Sequence, residues 1–211
     1  MTTNLVKRHP NKEGTKMGTR DVILDAAARV IAERGLANVT TRQIAQAAGF
    51  TEAALYKHFT NKADLLVAVM RERSPGFTLL AQAVNGRAGT GTLVANLTAV
   101  ARAAIAFYGE GFPMLASMFA DPATLAAHKE ELRHHGAGPH KANEAVAAYL
   151  RAEQALGRLR PETDVTAAAG LLLGSCFQYA FLSHMSLPDD RGDEDEAAAS
   201  FARTLLQQLA A

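Results

Sequence analysis

Three helix-start signals fall within one short stretch of this chain, and they limit its fold more than any bulk property does. In TTRQIAQAAGFTEAALYKHFTNKADLL, residues 40–66, Thr40, Thr51 and Asn61 each place a side-chain oxygen where it can accept from the free amides that open a helix. Thr40 with Gln43, and Asn61 with Asp64, have the spacing of capping boxes. Gly49 breaks the helical pattern that Thr51 restarts. The spacing predicts two short helices followed by a longer one reaching about Arg73. A preceding helix over about Arg20 to Arg34 presents Ile23, Ala26, Ala27, Val30 and Ile31 on one face.

The second short helix carries a telling distribution of side chains. At roughly 100° per residue, Leu55 and Phe59 share one face, Ala53, Ala54 and Lys57 point away from it, and Tyr56 and His58 lie on the flanks. Two short helices joined by a glycine turn and braced by a longer helix form a helix-turn-helix, whose second helix enters the DNA major groove. Alanines let the backbone approach base edges and set methyl groups against thymine methyls. Lys57 and His58 supply charge or donors, the Tyr56 hydroxyl suits a phosphate, and the helix N-termini at Thr40-Thr41 and Asn61-Lys62 offer free amides. The plain alternative is a helical hairpin whose outward residues face water. The ordered recurrence of cap, glycine, cap, aromatic-basic helix and further cap favours DNA.

Charge supports that division. Residues 1–73 hold 12 Lys/Arg and 7 Asp/Glu, whereas residues 74–211 hold 10 and 14, within an overall net charge of +1. A basic front on an acidic body directs only the front toward a polyanion. Residues 1–17 are polar, basic and interrupted by Pro10 and Gly14, and read as a flexible arm without the apolar core of a signal peptide. A lone cysteine, Cys176, allows no intrachain disulfide and fits a reducing cytoplasm.

Helical periodicity continues over about 76–85, 92–108, 113–120, 122–135, 139–156, 164–186 and 194–210, with no convincing alternation of strand residues. The expected fold is all-α: a basic arm (1–17), a helix-turn-helix domain (18–66) and a larger helical domain (67–211). From Val165 to Pro188 no Asp, Glu, Lys or Arg occurs, a length that could span a bilayer. Acidic flanks and interior polar residues instead suggest a soluble helix buried on most of its sides.

The quoted stretch strongly resembles the DNA-binding region of the tetracycline-repressor (TetR) family of bacterial regulators, over roughly Arg20 to Leu66. Its most specific parts are T-x-x-x-I-A-x-x-A-G, L-Y-x-H-F and N-K-x-x-L. The resemblance implies a dimeric cytoplasmic transcription factor, usually a repressor, that leaves its double-stranded operator when a small molecule binds. Carried over by position, Thr40, Thr41, Tyr56, His58 and Lys62 would contact phosphates, and Arg42, Thr51, Glu52, Ala53, Ala54 and Lys57 would lie nearest the bases. Glu52 departs from the family's small, polar or basic residue there. It either accepts from a cytosine amine or favours the positive helix N-terminus, and the second reading is preferred.

The same resemblance implies that the last two helices pair with their counterparts across a homodimer. Gly170 and Gly174 would permit close approach, and Leu171, Phe201, Leu205 and Leu209 would add apolar contact; packing within one subunit is the alternative for the glycines. Phe107, Tyr108, Phe112, Met114, Met118, Phe119, Phe177, Gln178, Tyr179, Phe181 and His184 are the candidates for an effector cavity, although aromatic and methionine stripes are more often plain core. His128, His134, His135 and His140 match no standard zinc spacing, so no metal and no cofactor are assigned, with a metal-responsive regulator kept as an alternative. Cys176 sits in an apolar stretch that favours an inert thiol over a redox sensor. No catalytic arrangement stands out, so an enzyme is not expected. A helical small-molecule-binding protein without DNA binding is the remaining alternative.

Overall fold

A computed structural model of the chain describes residues 18–35, 39–120, 122–187 and 192–209. The basic arm over 1–17 and part of the acidic connection before the last helix lie outside these residues. Among the described residues the chain is all-α, in the order α1 (Thr19–Arg34), α2 (Thr41–Ala47), α3 (Glu52–Leu55), α4 (Lys62–Arg73), α5 (Pro75–Val84), α6 (Leu93–Ala120), α7 (Pro122–His134), α8 (His140–Ala155), α9 (Val165–Met185) and α10 (Glu194–Leu209).

The caps act as their spacing predicts. Thr40 Oγ1 accepts from the Gln43 amide at 3.2 Å, and Gln43 Oε1 accepts from the Thr40 amide at 2.9 Å. Thr51 Oγ1 accepts from the Ala54 amide at 3.2 Å. Loss of such a cap costs about 1 kcal/mol. Gly49 makes the turn between α2 and α3 at φ 77°, a conformation that L side chains rarely adopt. The third cap is shifted by one residue: Asn61 Oδ1 accepts from Asp64 N at 2.9 Å, but the Asp64 carboxylate reaches back to Thr60 N at 2.8 Å.

α3 is shorter than expected. Regular helix stops at Leu55, and the chain then tightens, with Lys57 N donating to Ala54 O and His58 N to Leu55 O. These i→i−3 bonds wind the turn more narrowly and still bring Phe59 onto the core. Leu55 and Phe59 are both buried, in a cluster with Ile23, Leu24, Ala27, Val30, Ile44, Leu65 and Val69. Ion pairs bind the start of α1 to the end of α4: Arg20 grips Glu72 at 2.6 and 2.9 Å, and Arg73 reaches Asp21 at 2.9 Å and Asp25 at 2.5 Å.

The body has its own core, built by α5, α6, α8, α9 and α10 around Leu97, Val100, Ala104, Leu150, Leu172, Cys176 and Ala202. A smaller cluster of Leu66, Met114 and Met118, with Ile31, Met70, Leu115 and Leu125 against it, joins the two cores. Glu153 is fully enclosed, yet its carboxylate is not alone. It accepts from Gly89 N at 3.3 Å and lies 3.1 Å from Arg158 Nη1, while Arg158 also donates to Gly91 O at 2.8 Å. This network pins the loop between α5 and α6 onto α8.

Two expectations need correction. The separate helices over 92–108 and 113–120 are one helix, α6, which runs through Gly109, Gly111 and Pro113. Proline removes one backbone donor from a helix interior, and here the freed acceptor is Gly109 O, which receives Nε2 of His184 at 2.9 Å. The Ser-Pro-Gly stretch at 74–76 is a clamped elbow. Glu110 of α6 accepts from Ser74 Oγ at 2.6 Å and from Gly76 N at 3.1 Å, and a Cβ added at Gly76 would lie 2.5 Å from the Phe107 backbone. Finally, α9 is buried on one face only. Val165, Ala168, Ala169, Leu172, Leu173, Cys176 and Ala180 enter the core, while Gly170, Leu171, Gly174, Phe177, Phe181, Leu182 and Met185 are exposed.

Candidate nucleic-acid interface

The capped turn and the two anchors determine which side chains α3 presents outward. Thr51, Ala53, Tyr56, Lys57 and His58 are exposed; Glu52 and Ala54 are half-buried at the junction with α2. Thr40 and Arg42 are exposed at the start of α2, and Lys62, half-buried, opens α4. Neither Arg42 nor Lys57 has an ion-pair partner among the described residues, whereas Arg20, Arg71 and Arg73 of the basic front are paired with carboxylates. Two cations of the front without a carboxylate partner, Arg42 and Lys57, thus lie beside α3.

Three residues assigned to DNA contact are partnered with one another inside the motif. Thr41 is buried, and its hydroxyl donates to Glu52 Oε1 at 2.5 Å while accepting from the Tyr56 hydroxyl at 3.2 Å. The relay Tyr56–Thr41–Glu52 fastens α3 to the first turn of α2. Beside it, Arg42, Ala45, Gln46, Phe50, Thr51 and Glu52 line an open groove of about 430 Å³. Gln46 and Phe50 were not singled out from the sequence. Gln46 is exposed and its amide can donate to and accept from a base edge; its place one turn after Arg42 on α2 was the available signal.

The residues assigned to an effector cavity do not converge. Phe107, Tyr108, Phe177, Phe112 and Phe181 make a continuous run of ring contacts between α6 and α9, with centroids 5.3–6.0 Å apart. His184 stacks on Phe112 at 5.3 Å. Met114 and Met118 instead belong to the cluster between the two cores, and Phe119 and Gln178 face outward. Tyr179 donates to Gly192 O at 2.6 Å and packs against Phe201. Of the eleven, only His184 lines the small cleft of about 160 Å³ that Ile105, Gly109, Ala180, Ser183 and Glu194 complete. Aromatic rings at helical spacing fill space against each other here.

The residues assigned to a dimer interface divide in two. Gly170, Leu171 and Gly174 lie exposed on α9, and a Cβ at either glycine would meet nothing within 4 Å. Packing within the subunit therefore does not require these glycines. Phe201 and Leu205 are half-buried against their own core, and Leu209 is buried in it, its carbonyl accepting from Arg160 N at 3.0 Å. The histidines also separate. His128 is buried in α7, His134 and His140 are exposed, and His135 meets Asp64 of α4 at 3.2 Å. Burial pushes the Cys176 thiol up to about 12, which keeps it protonated and unreactive.

These features define a helix-turn-helix protein with a separate helical body. Residues 23–69 match the family described as "Bacterial regulatory proteins, tetR family", and residues 95–211 match the "AefR-like transcriptional repressor, C-terminal domain". The chain belongs to the TetR family of transcriptional regulators. It is similar to the HTH-type transcriptional repressor KstR2 of Rhodococcus jostii, at 45% identity over 56 residues, which cover 26% of this chain and 28% of that protein. The match thus spans little more than a quarter of that relative. Among solved structures, a TetR-family regulator from Mesorhizobium loti superposes with a TM-score of 0.73 at 18% identity, covering 92% of this chain and 97% of the other. SmeT, the repressor of the Stenotrophomonas maltophilia efflux pump SmeDEF, does so with 0.63 at 23%, covering 92% of each; a SmeT–triclosan complex gives 0.63 at 24%, covering 92% and 93%. At these identities the likeness concerns the fold.

Proposed function

We propose that this chain is a homodimeric, cytoplasmic repressor that binds a near-palindromic double-stranded operator through α3 and leaves it when a small apolar molecule enters the body. The observation that carries DNA reading is the outward face of α3: Ala53, Lys57 and His58 exposed over the fully buried anchor Leu55, beside the unpaired Arg42. Thr40, His58 and Lys62 are assigned to phosphates, and Tyr56 reaches one by turning its hydroxyl away from Thr41. Arg42, Thr51, Ala53, Ala54 and Lys57 are assigned to base edges. Glu52 acts chiefly by holding Thr41, so its task is orientation of α3 rather than readout.

Dimerisation is supported by the exposed apolar face of α9, where Leu171 is 65% and Met185 73% exposed. Two reading heads related by a two-fold axis require half-sites about one helical turn apart. The effector's place is the cleft beside His184, which stacks on Phe112. A cleft of about 160 Å³ is smaller than the roughly 300–1,000 Å³ of a small-molecule site, so binding opens the aromatic run. That the similar SmeT binds triclosan favours an apolar effector.

The test is a footprint of the purified protein on DNA upstream of its own coding region. Protection of a near-palindrome, lost when Arg42 and Lys57 are both changed to alanine, is expected. Tight sequence-specific binding by a proven monomer, or no sequence preference, overturns the reading.

A further inference from the structure

Asp64 at the start of α4 and Glu131 and His135 at the end of α7 meet although 67 to 71 residues separate them in the chain. One imidazole nitrogen and one oxygen from each carboxylate all lie within 4.8 Å of one another. His135 Nε2 is 3.2 Å from Asp64 Oδ1 and 3.9 Å from Glu131 Oε2. Two ligands held at about 2.1 Å from one cation at tetrahedral angles are about 3.4 Å apart, so the Asp64 edge is already that short and the Glu131 edge is somewhat longer. The third edge, between the two carboxylates, is no longer than 4.8 Å.

Enclosure and charge point the same way. The carboxylate side chains are only 17% and 13% exposed, and His135 carries charge only when protonated. The other groups holding the carboxylates, the Thr60 amide and the Asn61 side-chain amide, are neutral donors. Two enclosed anions facing each other are stabilised by a dication more than by any of these. A separate observation lies on the same helix. His128 precedes Glu131 by three residues and His135 by seven, which sets it on the same side of α7. It is 7% exposed, and its Nδ1 has no hydrogen-bond partner. Burial holds its pKa down and so keeps the imidazole neutral, the form that binds metals.

We propose that Asp64, Glu131 and His135 bind one divalent first-row cation that ties the start of α4 to α7. Mixed imidazole and carboxylate donors suit zinc better than calcium or magnesium, which take oxygen alone. Standard zinc spacing is absent from the sequence because the donors come from two helices. The site joins the reading head to the body, next to Lys62, so occupancy would fix the head's position. Cation binding itself stands apart from the DNA-binding reading.

The experiment is calorimetric titration of the chelator-treated full-length protein with zinc chloride. One zinc per subunit is expected, with binding weakened at least tenfold by Asp64→Asn and by His135→Ala, and unchanged by His140→Ala or Glu144→Gln. The last two remove a surface imidazole–carboxylate pair at 4.0 Å that serves as the decoy. Because a variant can misfold, crystals of the wild-type protein grown with zinc supply a direct reading. An anomalous peak between α4 and α7 supports the site. No zinc bound, binding lost only with the decoy pair, or a peak solely elsewhere overturns it.

Discussion

His184 Nε2 donates to the carbonyl of Gly109 at 2.9 Å, the acceptor that Pro113 leaves without its helical partner. A carbonyl can only accept, so Nε2 carries the proton. The imidazole of α9 thereby completes the backbone of α6 across the interface. His184→Ala is expected to lower stability by about 0.5–1.5 kcal/mol through the lost hydrogen bond, together with the stack on Phe112. His184→Gln, which retains a donor, should recover part of it. Urea unfolding of the three proteins checks this; equal midpoints would show that water satisfies Gly109 equally well.

The Arg20–Glu72 pair gives the reading head an acid sensitivity. The bidentate hydrogen bond from Arg20 holds the Glu72 carboxyl at about 2, below its ordinary 4.5. A carboxyl with a depressed folded pKa binds fewer protons in the folded state, so its contribution is present above the unfolded value and is lost as pH falls. The window runs from about pH 4.5 down to about 2. Glu72→Gln should flatten the stability profile across that window and leave the profile above it parallel to wild type. Thermal unfolding at stepped pH measures it, and an unchanged acid limb would refute the assignment.

Local signals were the legible part of this chain. Thr40, Thr51 and Asn61 cap helices through contacts three residues away, and Leu55 and Phe59 anchor α3 by periodicity, so a linear reading reaches them. Contacts between distant segments were not legible. Nothing near Pro113 announces that His184, 71 residues later, will support a continuous α6. Nothing in Ser-Pro-Gly announces Glu110, and nothing in the histidines after α7 announces Asp64. Phe112 and Phe177 read equally well as cavity lining or as mutual packing, because hydrophobicity does not say what fills the space beside a ring.

Dimerisation through α9 has a clean test, since the glycines of its exposed face have no neighbour in their own subunit. Gly174→Arg should leave single-subunit packing nearly untouched, because a Cβ there meets nothing within 4 Å, at a cost near the roughly ±0.5 kcal/mol of an ordinary surface change. Across a close helix pair the same side chain would be intolerable. Sedimentation velocity should therefore give a dimer for wild type and a monomer for Gly174→Arg. A variant that stays dimeric would move the interface off this face.

Coupling between effector and DNA should pass through the elbow between α4 and α5. Gly109 and His184 border the cleft, and the next residue of α6, Glu110, holds Ser74 and Gly76 where the reading head's last helix ends. A ligand that displaces His184 from Gly109 disturbs this turn of α6 and hence the position of α4. It shifts the balance only by its difference in affinity for the DNA-competent and released forms. A typical coupling of about 1–3 kcal/mol weakens operator binding roughly 5–150-fold, and linkage requires operator to weaken effector binding by the same factor. Glu110→Gln keeps the helix but weakens the clamp, and should bring both factors toward one while effector affinity for the free protein changes little. Calorimetry with and without operator, on wild type and variant, reads all four affinities. Unequal factors in wild type would break the two-state account, and an unchanged factor in Glu110→Gln would remove the elbow from the route.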